Sequence, residues 1–248
     1  GLNATPFNLG FNFAVQNTTR GQYYEIAGEN DLYLEGGRPV LPLQAHNLDS
    51  ATRVAHGVLM LGGAFTDIPN VDPVIQSLIF EDSDELAGEG RFDLPEWYPV
   101  SLASINRFVR LGPGADELAQ QLIVVPGQFY ATSSITDSKT TGTQRLYDSL
   151  DLLVYDAPMD VDDYVAPSIW QIKVTSGFNG EVTFNVVLDD ETETAGLSTS
   201  GIMRVVVLYR PVASGTWLKA ELPYNSATQT AAATVTVPQN GQYVYFVQ

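Results

Sequence analysis

The chain has 248 residues, of which 44 % are hydrophobic, 29 are Asp or Glu, 12 are Lys or Arg and none is Cys, for a net charge of −17. The charge excludes nucleic acid and anionic membrane surfaces as partners, since both are held by clustered Lys and Arg. The missing thiols exclude disulfides, thiolate metal sites and a cysteine nucleophile, and no apolar run approaches the length of a transmembrane helix, so no membrane insertion is expected.

The opening GLNATPFNLGFNF carries no phosphate-binding pattern, and no Walker or dinucleotide motif follows. At 35–44, EGGRPVLPLQ places Gly36 and Gly37 ahead of Pro39 and Pro42. The glycines permit a turn with positive φ, and the prolines enforce an extended chain that cannot donate to a central ladder. The segment therefore predicts an edge strand leaving a tight turn. His46 and His56 are the only histidines, share no spacing motif, and read as packing or surface residues. No G-x-S-x-G elbow accompanies them. Arg91, between AGEG and FDLPEW, reads as a loop arginine. GADELAQQL (114–122) is the best helical candidate, with Asp116 as a cap. In RLYDSLDLLVYD (145–156), Leu150, Leu152 and Val154 share one face, as a half-buried strand requires.

The strand pattern breaks at DAPMDVDDYVAPSIW (156–170), which holds two prolines and four acidic residues. We place a domain boundary there, with a first β-domain over 1–160 and a second over 164–248. Asp160, Asp162 and Asp163 crowd this junction. Closely spaced carboxylates supply the oxygens that a hard cation needs, so these three are candidate Ca²⁺ ligands, the alternative being a solvated acidic linker. The junction resembles the D-x-N-D-N-A-P linker of cadherins, which implies Ca²⁺ stiffening. A second acidic cluster, Asp189, Asp190, Glu191 and Glu193, falls in an expected loop. No other cofactor is expected.

Beyond the junction the strands read IWQIKVTS, EVTFNVVLD, GIMRVVVLYR, TWLKAEL, ATVTVP and QYVYFVQ. Val182, Phe184, Val186 and Leu188 share a face, as do Met203, Val205, Val207 and Tyr209. Trp217 reads as packing, with sugar stacking as the alternative. The chain opens without Met and closes inside the alternating run GQYVYFVQ, which we read as a piece of a longer protein. The fold class expected is all-β: two β-sandwich-like domains in tandem, the second immunoglobulin-like and truncated at its C-terminus.

Two resemblances extend this reading. The order Asp189, Ser200-Gly201-Ile202, Val205, Tyr209-Arg210, Trp217, Glu221-Leu222 and Tyr243-Tyr245-Phe246-Val247-Gln248 resembles immunoglobulin/fibronectin-like modules of bacterial secreted proteins. EGGRPVLPLQ resembles the G-x-P-x-L-P segment in the propeptide of gingipain-like (C25) cysteine peptidases. There it lies between strands like YYEIAGENDLYLE and TRVAHGVLML. The run from Leu122 to Asp156, with Pro126, Phe129-Tyr130 and a closing Tyr155, resembles that propeptide's last hairpin. Together these imply a non-catalytic accessory region of a larger secreted or cell-surface bacterial protein, over about 20–156 and 165–248. It would fold beside or shield a peptidase domain of the same parent chain. The peptidase's His and Cys are not carried, so no enzymatic activity is expected. Arg91 is the residue that would enter a pocket made for basic side chains, the alternative being a plain surface arginine. The competing reading is an adhesive or carbohydrate-binding pair of sandwiches on a cell surface. A hydrolase with paired carboxylates is a third, resting only on the abundance of acids.

Overall fold

The computed structural model describes residues 2–77, 91–111, 116–134, 137, 139–160, 167–190 and 201–248. The described residues contain strands and no helix, so the fold is all-β. The chain divides into two compact units, Gly1–Ala157 and Pro158–Gln248.

In the first unit, β1 (Asn3–Gly10), β2 (Phe13–Thr18) and β3 (Gly21–Ile26) lead into a short hairpin of β4 (Leu32–Tyr33) and β5 (Leu41–Pro42). The turn between them falls on the glycine pair, with Gly37 at φ 74° and the Arg38 amide donating to the Glu35 carbonyl. Beyond β6 (Gln44–Asn47) runs β7 (Arg53–Val71), followed by β8 (Ala103–Arg110), β9 (Glu117–Val124), β10 (Gly127–Ala131) and β11 (Gly142–Pro158). The long β11 is the spine of one sheet, ordered β1-β11-β10, with β7 also paired to it. Its register sets Phe7 opposite Leu152 and Leu9 opposite Leu150. Leu150, Leu152 and Val154 are all buried, as their alternation requires. Each contributes roughly 1.5–3 kcal/mol relative to exposure. Leu153 on the opposite face is buried too, which suits a strand paired along both edges.

A second sheet is ordered β6-β9-β8. The helix expected over 114–122 is not formed: residues 117–124 are the strand β9. The reason is tertiary. β9 is the middle strand, hydrogen-bonded on both edges, and Ala119, Gln120, Leu122 and Val124 are buried on its two faces. That gain overrides a weak local preference for helix. Gln120 is held by its side chain, which accepts from the Ala55 amide and donates to the Arg53 carbonyl of β7.

In the second unit, β12 (Ser168–Ser176), β13 (Glu181–Asp189), β16 (Tyr224–Asn225) and β17 (Thr230–Thr236) form a sheet ordered β12-β13-β17-β16. β14 (Val206–Pro211), β15 (Leu218–Glu221) and β18 (Tyr243–Val247) form another, ordered β15-β14-β18. One core joins the two sheets: Phe184, Val186 and Leu188 from β13, Ala231 from β17, Val207 and Tyr209 from β14, with Val205 and Leu222. Such sharing is the arrangement of a β-sandwich. The strand expected from Gly201 begins only at Val206, and Met203 is exposed, so the apolar face starts at Val205. Trp217 packs edge-to-face on Phe246 at 5.1 Å, with Arg210 over its ring at 5.0 Å.

Candidate functional site

The residues singled out from sequence fall in different surroundings. Asp160 is exposed, while Asp162 and Asp163 lie outside the described residues. Asp190 is buried and accepts a hydrogen bond from the Gly201 amide, and Glu191 and Glu193 again lie outside. Arg91 is tied down locally: it pairs with Asp93 at 2.9 Å and donates to the carbonyls of Ser134 and Asp137. Entry of this guanidinium into a partner's pocket would first require those contacts to open.

The histidines sit on different strands, His46 on β6 and His56 on β7. His46 packs on Phe7 at 5.7 Å and lies 3.0 Å from Gln44 Oε1. Burial pushes its pKa below the ordinary imidazole value, against an opposing pull from Glu29. His56 is lowered as well, first by burial and then by the charge of Arg107. Both environments favour neutral, packed imidazoles. Tyr98 is shifted far upward by burial and by its 2.6 Å hydrogen bond to Glu35. A phenol held protonated in this way is a donor rather than a base.

The most tightly built polar group in the first unit was not visible in the sequence. Arg145, 6 % exposed, lies between the rings of Phe65 and Trp97, 3.8 Å from each centroid. Its Nε and Nη2 donate to the two oxygens of Asp67 at 2.8 and 2.9 Å. Both faces of the guanidinium lie against rings and its Nε–Nη2 edge is taken by Asp67, so it ties β11 to β7.

Two surfaces are open. At the end of the β8–β9 pair, Phe108, Val109, Leu111 and Leu118 are all exposed, Leu111 by 81 %. In the second unit a cleft of about 320 Å³ opens between the sheets, lined by Val174, Phe184, Tyr209, Tyr243 and Tyr245 among others. Glu181 is the single charged residue among those described there. Phe184 and Tyr245 meet edge-to-face at 5.4 Å, and the Tyr243 hydroxyl donates to the Gln239 carbonyl at 2.8 Å. Burial raises the pKa of Tyr209, and neighbouring Tyr243 raises it further. The cleft wall therefore mixes aromatic and apolar side chains with the polar Ser176, Gln239 and Asn240. Sequence alternation indicated which residues face the core, but which core edge stays uncovered depends on strand order.

Among the described residues no group of three His, Asp or Glu side chains is placed to hold a metal ion, and no helix is long and apolar enough to cross a membrane. No family model and no curated protein matches the chain. Among solved structures, one described as a complex of Porphyromonas gingivalis RgpB pro- and mature domains is similar, with a TM-score of 0.42 and 18 % identity over 62 % of this chain and 78 % of that one.

Proposed function

We propose that this chain is a non-catalytic accessory region of a larger secreted or cell-surface bacterial protein, and that its first unit folds against a peptidase domain and shields it. The observation that carries the reading is the exposed apolar tip of β8 and β9, formed by Phe108, Val109, Leu111 and Leu118. Val109 and Leu118 are cross-strand partners on one face and both are exposed, and exposed apolar surface on an otherwise strongly acidic chain marks a protein contact. The resemblance of residues 20–156 to gingipain-like propeptides supplies the class of partner. The test is calorimetric titration of the whole chain into the catalytic domain of a gingipain-like peptidase, with residual peptidase activity read in parallel. Binding with loss of activity is expected. Val109→Asp and Leu111→Asp should each weaken it about tenfold or more, the scale of a modest interface anchor. No binding by the parent chain would remove the proposal.

One observation favours the carbohydrate-binding alternative. Trp170 stands 65 % exposed at a bulge in β12, where the register shifts between Ile169 and Gln171. Bulges re-aim side chains, and a flat exposed indole is a stacking platform for a sugar. Oligosaccharide-dependent quenching of tryptophan fluorescence, lost in Trp170→Ala, would favour that reading over the first.

A further inference from the structure

We infer that Arg38 is an anchor for a carboxylate of the partner protein: two aromatic rings hold its guanidinium, and its Nη1–Nη2 edge is left to receive an Asp or Glu side chain. This rests on the reading of the first unit as one that docks on a peptidase domain, and it adds where, and by what chemistry, that partner is held. Three observations carry it.

The first is that the residue is held in place. Arg38 ends the turn between β4 and β5, and its backbone is fixed on both sides. Its amide donates to the Glu35 carbonyl at 3.0 Å, its carbonyl accepts from the Gln76 amide at 2.9 Å, and the Gly37 amide donates to the Gln76 carbonyl at 2.8 Å. The side chain is fixed as well. Its guanidinium carbon lies 5.4 Å from the centroid of Phe92 and 5.3 Å from that of Tyr98. Phe92 is 2 % exposed, and the two rings meet at 5.5 Å, so the platform belongs to the core. Tyr98 is itself held by its hydroxyl, which donates to Glu35 Oε2 at 2.6 Å. A flat cation resting on rings keeps one geometry, and an arginine held that way loses little freedom on binding.

The second is that its fork is unanswered. Arg38 Nε lies 3.7 Å from Glu35 Oε1, beyond hydrogen-bond length. Among the described residues nothing accepts from Nη1 or Nη2. The other arginines of this unit are treated differently. Arg20 donates to the Ile75 carbonyl and to Ser77 Oγ. Arg53, Arg91, Arg110 and Arg145 pair with Asp156, Asp93, Asp49 and Asp67. Arg107 is also without an ion pair among the described residues, but no described ring lies under it. On a chain with 29 acidic and 12 basic residues, a cation that is positioned and yet left without an anion departs from the chain's own pattern.

The third selects the occupant. Two parallel N–H donors match a carboxylate, which a protein partner presents as Asp or Glu. The Arg38 side chain is 33 % exposed and so within reach of a partner. Leu34, in the same connection between β4 and β5, is 56 % exposed and adds apolar surface. Arginine, tyrosine and an apolar neighbour are the composition of an interface anchor. A second copy of this chain would set a net charge of −17 against another −17, which opposes association.

The experiment titrates the whole chain, as parent, Arg38→Lys and Arg38→Gln, into the catalytic domain of a gingipain-like peptidase at low and at high salt, and records the melting temperature of each form. Arg38→Gln should weaken binding about tenfold or more at low salt, and by less at high salt, where screening has already weakened the parent's pair. Arg38→Lys keeps the charge without the fork and should recover only part of the loss. A purely structural arginine would instead lower the melting temperature and leave affinity and its salt dependence unchanged. Parent binding matched by both variants at both salts would overturn the Arg38 anchor and leave the peptidase reading standing. No binding by the parent would overturn both. A parent chain that sediments as a dimer, dissociated by Arg38→Gln, would assign the fork to a second copy and overturn the anchor as well.

Discussion

Arg145 offers the sharpest test of the reasoning about the first unit. Arg145→Lys keeps the charge and most of the length, but it removes the flat fork. Two things are lost together: the paired hydrogen bonds to Asp67, and stacking between Phe65 and Trp97 at 3.8 Å on each side. Hydrogen bonds to a charged partner contribute roughly 1.5–3 kcal/mol. Desolvated cation–aromatic contacts add about 0.5–2 kcal/mol each. Lysine recovers part of both as a point charge. The Asp67 side chain is 40 % exposed, so solvent screening holds the ionic share near the lower limit. A loss of about 2 kcal/mol follows, or a fall of about 4–8 °C in melting temperature for a unit of this size. Trp97 lies in the cluster, so its fluorescence reports the same transition in urea. A double-mutant cycle with Asp67→Asn should give a coupling of about 0.5 kcal/mol or more. Arg145→Lys within about 0.5 kcal/mol of the parent, the range of ordinary surface changes, would refute the claim that this cluster locks β11 to β7.

Two further outcomes follow from named groups. Burial lowers the pKa of His46, so its contribution to stability is complete above the unfolded value of about 6.5 and is lost as pH falls through the folded value. Melting temperature should therefore drop between about pH 7 and pH 5 and drop less in His46→Gln, since Glu221 and Asp49, both lowered, titrate only below that window; identical slopes in parent and variant would remove His46 from the account. For the junction carboxylates Asp160, Asp162 and Asp163, excess Ca²⁺ should raise the melting temperature over chelator in the parent and not in Asp162→Ala, by an amount equivalent to about 2.7 kcal/mol at a hundredfold excess over Kd. Equal melting in Ca²⁺ and chelator would leave a solvated acidic linker.

The parts of the fold legible in the sequence are those where one local rule decides. Leu150, Leu152 and Val154 alternate, and all three are buried. Phe184, Val186 and Leu188 alternate, and they form the second core. Gly36-Gly37 ahead of Pro39 and Pro42 gives the expected turn, because a positive φ and a fixed φ leave few alternatives. The failure at 114–122 is the converse case. ELAQQLIV satisfies helical and strand patterns about equally, and only pairing with β6 and β8 decides between them. The Arg145 cluster was illegible for a related reason. Asp67 and Arg145 are far apart in the chain, and nothing in either's neighbours announces that a guanidinium is clasped by two rings.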